Sequence, residues 1–188
     1  MQHAMNAPTD PVKIWKEKMG KTMLKTIGIQ PHYTVLDFGC GSGMYTIAGS
    51  QLLNKEGTII AADKNPDRIR DLSESISPLN QAHITLLHTP DESHLRLETN
   101  MIDFILLYDV FHLISDRAVL FTEFKRILKP TGTLSLYPKH HDTELHLTID
   151  DIHQELHSYG FLLNTQHHTT VLHDQHLEEG TVYNYQQE

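Results

Sequence analysis

The stretch Val35-Leu36-Asp37-Phe38-Gly39-Cys40-Gly41-Ser42-Gly43 constrains the fold more than any other part of this chain. A short β-rich run from Thr34 to Phe38 stops at three glycines in alternate positions, and Met44 to Leu53 can then form a helix. Glycine lets the backbone turn sharply and approach a ligand closely, while the helix that follows presents free amide groups. Twenty residues beyond Gly43, at the end of the buried-strand pattern Ile59-Ile60-Ala61-Ala62, stands Asp63. A carboxylate in that place can accept hydrogen bonds from ribose hydroxyls.

The rest of the chain repeats the same alternation. Asp10-Pro11 caps a helix that carries Trp15, Met19, Met23 and Ile27 at helical spacing, and Asn65-Pro66 opens another to about Ile76. His83 to Leu87 and Met101 to Leu107 read as strands three and four. Ser115 starts a helix with the apolar face Leu120, Phe124, Ile127 and Leu128, which ends at Lys129-Pro130-Thr131-Gly132 before a fifth strand, Thr133 to Tyr137. Thr148 with Asp151 opens a helix that Gly160 terminates, and Phe161 to Leu172 and Thr181 to Tyr185 are the last β-like stretches. Parallel strands need crossover connections, so this order predicts an α/β fold. The expected architecture is a doubly wound, mostly parallel seven-stranded sheet with helices on both faces, binding its ligand at the carboxyl ends of the strands. A single domain over 1–188 is expected: an amino-terminal helix or lid over 1–30, a cofactor-binding core over 31–140, and a closing helix and strands over 141–188.

Composition excludes several partners. The formal net charge of −9 opposes unassisted binding to bare nucleic acid. Met101 to Ile114, the richest apolar stretch, is broken by Asp103, Asp109 and His112 and is too short to insert in a membrane. The amino end does not read as a secretory signal, and Cys40, the single cysteine, can form no internal disulfide, so a cytoplasmic protein is expected.

The glycine spacing disfavours a dinucleotide site, because Met44 or Thr46 falls where its third glycine belongs, and no Gly-Lys-Ser/Thr follows to make a P-loop. Instead, Val-Leu-Asp-Phe-Gly-Cys-Gly-Ser-Gly (35–43), Ile-Ala-Ala-Asp-Lys-Asn-Pro (60–66), Ile-Asp-Phe-Ile (102–105) and Leu-Lys-Pro-Thr-Gly-Thr-Leu (128–134) resemble the motifs of class I S-adenosylmethionine-dependent methyltransferases. The similarity is to the small, ubiquinone-biosynthesis-like type 11 group, with its Rossmann-like sheet. It implies that Gly39, Gly41 and Gly43 approach the methionine part and ribose of the cofactor, S-adenosylmethionine, while Asp37 holds its amino group. Asp63 would hold the ribose hydroxyls, Lys64 would lie along the adenine, Asp91 would accept from its exocyclic amine, and Tyr108 would flank the site.

Methyl transfer from a sulfonium is an in-line displacement in which the protein contributes orientation and a dry pocket. A base is needed only where the attacking atom carries a proton at working pH. Residues after strands four and five border the expected acceptor site, so His112, His140 and His141 are the candidates for catalysis. Histidine is abundant, with nine of the 15 between His140 and His176, and a solvated histidine-rich face is the plainer reading. The spacing of His140, His141 and His146 matches no zinc motif, and no metal is expected. The reading is a small-molecule methyltransferase acting as a monomer or homodimer. Its alternatives are a non-catalytic cofactor-binding regulatory subunit, or an enzyme that modifies protein or RNA with a partner's help.

Overall fold

Alternating side chains along the central strands set the layers. A computed structural model describes residues 10–76, 83–91 and 94–188. In β1 (Thr34–Phe38), β2 (Thr58–Asp63) and β4 (Ile102–Tyr108), successive residues point to opposite faces. Leu36, Ile60, Ile105 and Leu107 enter one hydrophobic cluster, and Val35, Ile59, Phe104 and Leu106 enter another. The first cluster is closed by α5 (Arg117–Ile127), through Leu120, Phe121, Phe124 and Ile127, and by α6 (Ile149–Ser158), through Ile152 and Leu156. The second is closed by α1 (Pro11–Ile14), the π-helical turn Trp15–Met19 and α2 (Gly20–Thr26), together with α3 (Met44–Ser50). Leu72 of α4 (Pro66–Ile76) packs on Ala61 in a smaller cluster.

With β3 (Ile84–His88), β5 (Leu128–Tyr137), β6 (Phe161–His173) and β7 (His176–Gln187), the seven strands run in the order β3-β2-β1-β4-β5-β7-β6. All neighbouring pairs are parallel except β5 with β7 and β7 with β6. The order reverses between β1 and β4, which opens a crevice at their carboxyl ends.

Two boundaries differ from the sequence expectation for physical reasons. β5 begins at Leu128, because Leu128 already pairs with Ile102, and the register shifts before Thr133 pairs with Phe104. The Pro130-Thr131-Gly132 turn therefore interrupts a strand instead of preceding one. Asp116, not Ser115, is the cap of α5, its carboxylate accepting from the Val119 N–H. The capping box expected of Thr148 and Asp151 is present in full.

Of the helix or lid expected over 1–30, the described part is helical and packed on the core. Trp15 has no exposed surface and packs edge-on against Tyr45, with ring centroids 4.9 Å apart. None of the described residues from 10 to 30 lines the crevice. Residues 1–9 of that expectation lie outside the described residues. Among those described, no helix is long and apolar enough to cross a membrane.

Candidate active site

The crevice is a cavity of about 780 Å³, within the range of about 300–1,000 Å³ usual for small-molecule sites. Its floor is the loop after β1. Gly41 has φ +52°, and a Cβ added there would meet only the Gly39 carbonyl, at 3.9 Å, so the backbone lies bare toward the cavity. The Gly41 N–H donates to Asp63 Oδ2 at 2.9 Å, and the Asn65 N–H donates to Asp63 Oδ1 at 2.8 Å. One carboxylate at the end of β2 thus braces the glycine loop and the turn into α4.

Gly43 behaves differently from its expectation. It does not line the cavity. Its left-handed backbone (φ +74°) caps α3, and a Cβ there would collide with the Leu72 side chain of α4. Packing against Leu72 by itself requires glycine at the third position.

Asp37, at the end of β1, is only 4% exposed. The Thr46 hydroxyl donates to its Oδ2. Burial nevertheless pushes the Asp37 carboxyl up to about 6, against the lowering effect of that hydrogen bond. Cys40 also lines the cavity, but burial, with help from Asp37 and Asp63, pushes its thiol far up, so it is no nucleophile at neutral pH. Lys64, Asp91 and Tyr108 all stand in the wall. The Tyr108 hydroxyl is paired with Ser135 Oγ at 2.8 Å, and its ring meets Tyr45 edge-on at 4.8 Å.

The three candidate catalytic histidines do not line this cavity. His112 sits on the 3-10 turn Phe111–Leu113, its side chain mostly buried and its Nδ1 4.0 Å from Asp109 Oδ1. His140 and His141 line a second cavity, of about 460 Å³, behind Tyr137. His141 is tied locally, its Nδ1 lying 2.6 Å from the Pro138 carbonyl.

The methyltransferase-domain family matches residues 36–136, more than half of the 188. The chain belongs to that family. A demethylmenaquinone methyltransferase of Staphylococcus aureus is 27% identical over 120 residues, which is 64% of this chain and 47% of the relative. The chain therefore spans about half the length of the curated relatives it matches. Among solved structures, a SAM-dependent methyltransferase from Aquifex aeolicus shares the fold with a TM-score of 0.78 at 20% identity, over 95% of each chain. The YcgJ protein of Bacillus subtilis shares it with a TM-score of 0.69 at 14% identity, over 92% of this chain and 99% of its own.

Sequence reasoning overlooked one wall of this methyltransferase domain. The turn between β6 and β7 hangs over the glycine loop, so that Leu172, His173, Asp174 and Gln175 line the cavity opposite Asp37. Tyr45 of α3 fastens it there, donating to the Leu172 carbonyl at 3.0 Å and accepting from the Leu172 N–H at 3.1 Å. The Asp174-Gln175 pair between two β-like runs signals the turn, but nothing local signals where a hairpin 127 residues from Tyr45 will point.

Proposed function

We propose that this chain is an S-adenosylmethionine-dependent methyltransferase acting on a small-molecule acceptor. The observation that carries the reading is the bare Gly41 backbone tied to Asp63 at the floor of an open cavity, with Asp37 buried beside it. The cofactor, when bound, supplies a sulfonium methyl group. Asp63 keeps lone pairs beyond its two backbone hydrogen bonds and would hold the ribose hydroxyls. Asp37, ionised above about pH 6, would attract the amino group of the methionine part. Lys64 and Asp91 would flank the adenine from the β2 and β3 sides. Tyr108, its hydroxyl already spent on Ser135, would offer only a ring face and shape.

The hairpin side of the cavity supports a transferase over a regulatory subunit. Leu113, Leu172 and the 173–175 turn enclose space beyond the glycine loop, and orienting an acceptor there would supply several kcal/mol of the barrier reduction. The curated relative is named for a demethylated quinone, which fits a small acceptor at this site. The net charge of −9 favours such an acceptor over nucleic acid. Calorimetric titration with S-adenosylhomocysteine, with NAD as control, tests the reading. One-to-one binding of the former alone is expected, and binding of NAD alone, or of neither, would overturn it.

A further inference from the structure

The histidines meet at a carboxylate instead of at the acceptor. Asp109 follows β4 and His140 follows β5, both with left-handed backbones (φ 56° and 62°), while His173 ends β6. His140 Nε2 lies 3.1 Å from His173 Nε2 and 3.7 Å from Asp109 Oδ1, and His173 Nε2 lies 3.5 Å from Asp109 Oδ2. His173 is held rigidly, its side chain only 8% exposed and its neighbour Leu172 fastened to Tyr45. Asp109 Oδ1 is buried and accepts no hydrogen bond among the described residues. His112 and Asp174 also face the group, with His112 Nδ1 4.0 Å from Asp109 Oδ1 and Asp174 Oδ2 3.6 Å from His173 Nε2.

Two imidazole nitrogens facing each other share at most one proton, and hydrogen bonding alone leaves that carboxylate oxygen unused. A cation suits the arrangement better. Nitrogen and oxygen ligands at about 2.0–2.1 Å from a tetrahedral ion stand roughly 3.3 Å apart; the two imidazole nitrogens stand 3.1 Å apart, each with a different oxygen of the one carboxylate at 3.5 or 3.7 Å, and one ligand atom from each residue lies within 4.8 Å of the others. We propose that Asp109, His140 and His173 bind one divalent transition-metal cation at the edge of the larger cavity. Two imidazoles with one carboxylate select zinc, iron or cobalt over magnesium or calcium. Three protein ligands leave a fourth position open, and Asp109 and His173 belong to the cavity wall, so an oxygen-bearing ligand from the cavity can complete the shell.

The part this ion plays in catalysis rests on the methyltransferase reading. A hydroxyl of the acceptor coordinated there loses its proton to water at neutral pH, because the cation lowers its pKa. Its oxygen then forms the O–CH3 bond as the S–CH3 bond breaks and sulfur keeps the electron pair.

The test uses tag-free full-length protein, stripped with a chelator and titrated with Co2+ at pH 7.5 while visible absorption is recorded. One equivalent should bind, with the absorption of a four-coordinate ion, and Zn2+ should displace it. Losing only a hydrogen-bond partner of a metal ligand typically costs 10- to 100-fold in metal affinity, so removing two ligands in His140→Ala/His173→Ala should cost about 100-fold or more. Asp109→Asn, which keeps the shape of the site, should also weaken binding, whereas the outlying His146→Ala and His168→Ala should not. No stoichiometric binding, or binding of several ions that survives the double substitution, would overturn the proposal. S-adenosylhomocysteine titrated into the same samples separates the two readings: its binding without metal binding removes the metal site alone, and metal binding without it removes the methyltransferase alone.

Discussion

Replacing Asp63 by alanine removes its bracing of the glycine loop and, on the proposed reading, its hold on the ribose, and the two effects can be worked out separately. Asp63 accepts from Gly41 N–H at 2.9 Å and Asn65 N–H at 2.8 Å, on a half-buried carboxylate. Losing these, with water free to replace part of each bond, should destabilise the unliganded protein by about 1–2 kcal/mol. For a chain of this length that lowers Tm by roughly 2–8 °C. Losing the ribose hydrogen bonds to a charged acceptor should cost a further 1.5–3 kcal/mol of binding, roughly 10- to 150-fold in Kd. Calorimetry with S-adenosylhomocysteine at 25 °C, well below either Tm, measures the second effect, and a thermal melt without ligand measures the first. Unchanged affinity would refute the ribose assignment, and unchanged affinity with a lowered Tm would show that Asp63 serves only to brace the loop.

In its proposed role, Asp37 would make cofactor binding pH-dependent, because binding an amino cation requires the ionised form. Affinity should therefore fall as pH drops below about 6, by up to tenfold per unit, with proton release detectable by titrating in buffers of different ionisation enthalpy. The unliganded protein responds in the opposite sense. A carboxyl raised from 3.8 to about 6 on folding contributes stability that is full below 3.8 and lost as pH rises through 6. The difference is about 3 kcal/mol, so Asp37→Asn should raise the Tm of the unliganded protein at pH 7.5 and flatten the affinity profile. Trp15→Ala empties a fully buried site and should cost about 3–5 kcal/mol, lowering Tm by roughly 10 °C. A lid would give the contrary result, weaker cofactor binding with Tm preserved.

What the sequence disclosed follows how local each feature is. The glycine loop, Asp63, and the caps of α4 and α6 are decided by residues within a few positions of one another, so spacing revealed them. Hydrophobic periodicity revealed the layers, because every central strand must bury both faces. The packing demand at Gly43 was not legible, since a glycine that admits the Leu72 side chain and one that admits a ligand look alike in a sequence. His112, His140 and His141 were placed by their position after strands, which fixes where a backbone ends but not which way a side chain turns. The His173 contact with Asp109 depends on the register of a hairpin and on the Tyr45 clasp, and neither leaves a short-range mark.

The hairpin tip and the cavity floor beneath it answer to different physical constraints. The β6–β7 ladder, running from Phe161 opposite Gln187 to His173 opposite His176, is maintained by backbone hydrogen bonds that any strand-compatible sequence can make. At its tip Leu172 is packed in the core and His173 is nearly buried, so only the exposed Asp174 and Gln175 are free of packing duty, while the glycine loop beneath them is fixed by steric necessity at Gly43 and by Asp63. On the proposed reading, Asp174 and Gln175 can be rewritten over an unchanged floor, so these two positions are where acceptor range would drift.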